Sequence, residues 1–76
     1  MCGTDMAYHE TEMVNDSADA NTAIECRNAC QHDSTCGFWD FGDGWCRLRS
    51  TSIDTSELRH SEGYAYGTKN CIFEGN

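Results

Sequence analysis

Six cysteines, at positions 2, 26, 30, 36, 46 and 71, are the side chains of this chain best equipped for chemistry. A thiol can act as a nucleophile, bind zinc, or be consumed in a disulfide. Nucleophilic catalysis needs a free, activated thiol, and an even, fully paired set leaves none. Zinc has further candidate ligands in His9, His32 and His60. However, the Cys26-x3-Cys30 and Cys30-x5-Cys36 spacings lack the paired C-x2-C knuckles of structural zinc sites, and six thiols exceed the four ligands of one tetrahedral ion. No metal and no cofactor is expected, and the three histidines read as surface residues. No nucleophile elbow places a Ser, His and Asp together, so catalytic residues are not expected either. Asp40 and Asp43 flank a Gly-rich turn, where turn chemistry and solvation explain carboxylates better than calcium or acid–base work. Disulfides remain as the use of the sulfur, with an oxidising, extracellular setting as the consequence.

A chain of 76 residues is one domain, too small for a hydrophobic core alone to give more than marginal stability. Thirteen acidic against five basic side chains give a formal charge of -8. Arg27, Arg47, Arg49, Arg59 and Lys69 form no cluster in sequence, so nucleic acid, anionic membrane and heparin-type glycans are poor partners. No apolar run has the length of a membrane span, and Met1 to Thr4 does not begin a signal peptide. Met1 directly before Cys2 points to a module excised from a longer multi-domain protein, with its secretion signal elsewhere.

These residues need elements to position them. Thr4 to Val14 carries a partial period of two at Met6, Tyr8 and Glu10, which suits a half-buried strand. Asn15 to Asn21 is small and polar and reads as a loop, and Asn15-Asp16-Ser17 within it is a possible N-glycosylation sequon. Thr22-x-x-Glu25 has capping-box spacing and opens a helix running to about His32. Ala23, Cys26 and Cys30 then share one helical face, which must look inward. Cys36 opens an aromatic strand, Gly42-Asp43-Gly44 turns the chain, and Trp45 to Arg49 returns as a hairpin partner. In that return strand Cys46 and Leu48 share one face and Trp45, Arg47 and Arg49 the other. Ser50 to Ser61, with Ile53 and Leu58, reads as a long connection able to carry a binding loop. Gly63 to Gly67 reads as a short strand and Asn70 to Glu74 as a last one. The expected fold is α+β, a single helix packed on a small antiparallel sheet, with at least half of the aromatic residues in the core, Phe38 and one tryptophan among them.

Six cysteines allow fifteen pairings, and spacing does not choose among them. Cys26 and Cys30 can each reach a neighbouring strand, whereas one helical turn suits a bond between them poorly. The arrangement Cys2, Cys26-x3-Cys30-x5-Cys36, Cys46-x-Leu48 and Tyr64-x-Tyr66-Gly67-x3-Cys71, with Phe38 just after the fourth cysteine, resembles PAN/apple domains over nearly the whole chain. Such modules occur in plasma prekallikrein, in plasminogen and hepatocyte growth factor, and in the microneme adhesins of apicomplexan parasites. The resemblance implies nested bridges Cys2–Cys71, Cys26–Cys46 and Cys30–Cys36.

It also implies a non-catalytic adhesion module of a secreted or surface protein, reached through a secretory organelle such as the microneme. Host glycans or glycoproteins and neighbouring modules of the same chain are its implied partners. The alternative is a protein–protein assembly module that docks another subunit through its tyrosines and tryptophans. A galactose site in similar modules lies near the connection and the last strands, and maps here onto Thr55, His60, Tyr66 and Gly67, with Arg59 as the nearest basic side chain.

Overall fold

The computed structural model describes residues 1–8, 13–52, 56 and 58–74. Five strands and one helix follow in the order β1 (Gly3–Tyr8), β2 (Met13–Ala18), α1 (Ala23–Gln31), β3 (Cys36–Gly42), β4 (Trp45–Ser50) and β5 (Leu58–Thr68). They make one antiparallel sheet in the order β1-β5-β3-β4-β2 with the helix packed on β3 and β4.

The helix starts where its sequence says it should. Thr22 is extended and its hydroxyl accepts from the Glu25 backbone N–H at 3.1 Å, while the Glu25 carboxylate accepts from the Asn21 N–H at 2.7 Å. The reciprocal bond therefore closes one residue further out than in the usual capping box, and two orphan donors are still satisfied. Cys26 and Cys30 are the buried helical residues, and each is tied into the sheet: Cys26 to Cys46 and Cys30 to Cys36. Cys2–Cys71 joins strand β1 to the chain's closing segment, so the three pairings are those the resemblance implies. With Trp39 and Leu48 these sulfurs form the main core. The Trp39 indole N–H donates to the Thr68 carbonyl at 3.0 Å, which satisfies its one polar atom inside that core.

Asp43 (φ 53°) and Gly44 (φ 80°) form the two-residue turn between β3 and β4, with the left-handed geometry that matches strand twist. Because the turn is that short, its position alone sets the register: Gly42 faces Trp45, Phe41 faces Cys46, Asp40 faces Arg47 and Trp39 faces Leu48.

Three expectations change. The polar loop expected from Asn15 is strand β2 as far as Ala18, pairing with β4 through two register shifts. It lies at the sheet edge, where a strand needs no apolar face to complete it. The long connection ends at Leu58, because 58–61 join the Gly63–Gly67 segment in one eleven-residue strand, β5, that pairs with both β1 and β3. The closing segment is no strand. It is held by the Cys2 N–H on the Ile72 carbonyl (2.8 Å), by the Arg27 guanidinium on the Cys71 carbonyl (3.1 Å), and by that guanidinium over the Phe73 ring at 5.0 Å.

The β1–β5 ladder is broken between Thr4 and Met6, at Asp5 (φ 64°) opposite Gly63 (φ 85°), and the Gly63 N–H donates to the Asp5 carboxylate at 3.0 Å. Beyond this break the pair curls over the sheet face away from the helix. Strand β5 lies between β1 and β3, yet the Tyr8 backbone N–H reaches the Asp40 carboxylate of β3 at 3.1 Å. Only a strand end lying across the face can do that.

Candidate functional site

The face opposite the helix carries side chains that alternate with the core: Phe38 and Asp40 on β3, Arg47 and Arg49 on β4, Tyr64 and Tyr66 on β5. Asp40 is fully buried and Arg49 only 4 % exposed, and the two are joined at 3.0 Å, with Arg47 3.7 Å from the second carboxylate oxygen. Asp40 is therefore not the solvated turn residue expected from its place beside the Gly-rich turn. The signal that could have found this pair was present: a two-residue turn at Asp43-Gly44 puts Asp40 opposite Arg47, with Arg49 one step along on the same face.

Tyr8 closes the cluster from above. Its ring meets Phe38 edge-on at 5.5 Å and Tyr66 at 5.7 Å. Burial pushes the Asp40 carboxyl up, offset by Arg49, by the Tyr8 N–H and by Arg47 in that order. The Tyr8 hydroxyl is pushed up to about 12 by burial, then by Tyr66 and Asp40, with Arg49 opposing. An acid whose pKa is raised by folding favours the fold while it stays protonated. Stability is thus complete below pH 10 and is lost as the pH rises towards about 12, by about 3 kcal/mol. An absorbance titration should show tyrosinate forming near pH 12 that Tyr8→Phe abolishes. A Tyr8→Phe variant that instead loses absorbance near pH 10 would contradict this burial.

Towards the hairpin turn the face becomes exposed and polar. The Tyr64 hydroxyl donates to Asp43 at 3.1 Å and accepts from Arg47 at 3.5 Å, and the Arg47 guanidinium also lies 5.7 Å from the Tyr64 ring centre. The bond to Tyr64 is the largest of the influences that raise the Arg47 pKa.

The residues mapped for a sugar site occupy three environments. Arg59 and His60 are neighbours on β5, both exposed, opposite Ala7 and Met6 of β1. Tyr66 is half-buried, between Gly3 and Asp40 in the ladders and against Tyr8. It lies six residues beyond His60, but residues 61–64 bulge out opposite Asp5, so the β1 partners of the two, Gly3 and Met6, are only three residues apart, about 10 Å of strand. Gly67 is buried, and a side chain there would run into the Cys71 sulfur, so it is glycine because the bridge packs on it. Arg59 and His60 are consecutive on β5, so their side chains leave opposite faces of the strand and do not converge, while Gly67 is buried under the bridge. Thr55 and His9 lie outside the described residues. Asn15 is exposed on edge strand β2, and His32 is exposed as the C-cap of the helix. Of the tryptophans, Trp39 is in the core and Trp45 is 53 % exposed, while Phe38 is half-buried.

All six cysteines are bonded, and among the described residues no group of three or more His, Cys, Asp or Glu side chains converges to hold a metal. No described helix is long and apolar enough to cross a membrane.

One helix tied to an antiparallel sheet by two buried bridges, with a third clipping the first strand to the closing segment, defines a disulfide-stapled recognition module. The PAN domain model matches residues 3–71, and the chain belongs to that family. No curated protein matches the chain. PAN domains are modules for protein or carbohydrate interaction, typically non-catalytic, and a PAN domain with three disulfides fits an extracellular or secreted setting.

Proposed function

We propose that this PAN domain is a non-catalytic extracellular adhesion module that binds host carbohydrate, a galactose-type sugar, or a glycoprotein that carries one. The observation carrying this reading is the exposed His60 imidazole on β5, whose β1 partner Met6 lies three residues from Gly3, the partner of Tyr66, on a chain of net charge -8. A neutral sugar can bond the ring nitrogens without meeting the repulsion that a sulfated one would, and Arg59 is the nearest basic side chain. Thr55 would add a hydroxyl from the connection before β5. Tyr66 would supply an aromatic edge further along the strand and Gly67 only its backbone. Carriage through a microneme-type organelle and display beside neighbouring modules belong to the same proposal.

A glycan array of the oxidised domain tests it, beside His60→Ala and Tyr66→Phe. Galactose-terminated glycans should be retained by the parent and lost at least tenfold by His60→Ala. Retention indifferent to both changes would remove the β5 site.

A second reading, docking of a protein partner, is favoured by edge strand β2, where Met13 and Val14 are 38 % and 37 % exposed. An added strand could pair there.

A further inference from the structure

Trp45 is out of keeping with the other tryptophan. It follows the β3–β4 turn and exposes half its surface, and its indole has no hydrogen bond, ring contact or cation against it among the described residues. Beside it an open depression of about 310 Å³ is lined by Ala18, Asp19, Ala20 and Asn21 together with the indole. The two polar side chains of that lining, the Asp19 carboxylate and the Asn21 amide, make no hydrogen bond or ion pair among the described residues. Asn21 is held in place through its backbone, whose N–H donates to Glu25 at 2.7 Å, and Ala20 is buried in the core. The segment is thus anchored at both ends while its polar groups stay available.

We infer that Trp45, Asp19 and Asn21 form a monosaccharide subsite for a neutral hexose, separate from the β5 residues. The inference rests on the carbohydrate reading above but not on His60 or Tyr66. Each partner supplies a different part of sugar recognition. The flat indole offers an apolar face to the C–H side of a pyranose ring, the carboxylate accepts from two hydroxyls, and the amide can donate to one and accept from another. The alanines leave the approach to the indole clear. No Lys or Arg lines the depression, which disfavours a sulfated or carboxylated sugar. A neighbouring depression of about 370 Å³ shares Asp19 and Asn21 and continues along the helix past Glu25 and Asn28 to His32. The subsite therefore has room for a second sugar on the helix side.

Titration of the oxidised 76-residue chain with methyl galactoside, methyl glucoside and methyl mannoside, followed by amide and indole N–H resonances, tests the inference. At least one glycoside should shift the Trp45 indole and the Asp19 and Asn21 amides saturably. Trp45→Ala and Asp19→Ala should each weaken that binding tenfold or more, with the amide spectrum otherwise retained, and His60→Ala should leave it within twofold. Saturable binding that survives both the Trp45 and Asp19 changes overturns the subsite and leaves the carbohydrate reading standing. If none of the glycosides binds at 100 mM while a Lys/Arg-rich peptide shifts the same resonances, the furrow is a basic-peptide site and the sugar assignment fails. If neither binds there but the glycan array is positive, the subsite alone is overturned.

Discussion

Asp40→Ala is expected to destabilise the domain by about 3–5 kcal/mol, enough to unfold much of it at ordinary temperature. The carboxylate is fully buried, it accepts from the Arg49 guanidinium and from the Tyr8 backbone N–H, and its other oxygen faces Arg47. Truncating it removes the carboxylate that Arg49 and Arg47 face and the acceptor that holds the end of β1 over the sheet. The loss is therefore larger than the worth of one ion pair, because the buried Tyr8 N–H loses its acceptor as well. A paired change separates the causes. Asp40→Leu with Arg49→Met replaces both charges by apolar groups of similar size, and its urea midpoint should lie well above that of Asp40→Ala and near the parent's. If the single variant unfolds at the parent's midpoint, the pair is solvated and the buried cluster is wrong.

Removing the Cys26–Cys46 bridge by alanine at both positions is expected to cost about 3 kcal/mol from the lost constraint on the unfolded chain, given a separation of 20 residues. Both residues are almost wholly buried, so the replaced sulfurs add a packing loss on top. Removing Cys30–Cys36, only six residues apart, should cost less on the constraint argument, since the loop it closes is short. Thermal unfolding of the two double variants checks the order. Equal losses would mean that packing around the sulfurs, not chain entropy, dominates. Either outcome bears on binding too, because Trp45 directly precedes Cys46 and takes its position from that bridge and the turn.

Much of this architecture was legible in the residues. The start of the helix followed from Thr22 and Glu25, since capping is a local interaction between groups three residues apart. The hairpin followed from Asp43-Gly44, since few sequences tolerate two successive positive φ values. Cysteine pairing was open on spacing alone and came from family resemblance, because a disulfide joins residues whose nearness is set by the whole fold. Strand β2 was legible only at Met13 and Val14, the end of the expected Thr4–Val14 strand; Asn15 to Ala18 carry no strand-like pattern, and their pairing with β4 comes from position at the sheet edge.

The candidate sites divide in the same way. Arg59 and His60 are neighbours in sequence, yet on β5 their side chains leave opposite faces, because a strand alternates. Tyr66 and Gly67 were grouped with them by resemblance; the bulge around Gly63 shortens the ladder between His60 and Tyr66, while Gly67 is taken up by the bridge packed on it. Trp45 beside Asp19 and Asn21 could not be foreseen, since some twenty-five residues separate them and only the β2–β4 pairing brings them together.

Caps, turns and cysteine content act through local geometry and composition, so a stapled module with a capped helix and a tight hairpin could be read from the residues. Which face of the sheet is filled depends on how the strands pack. The break at Asp5 and Gly63 lets β1 curl across β5, and that single bend turns Asp40 from a turn carboxylate into a buried anchor. Burial is a property of everything that packs around a residue, so no stretch of chain announces it alone.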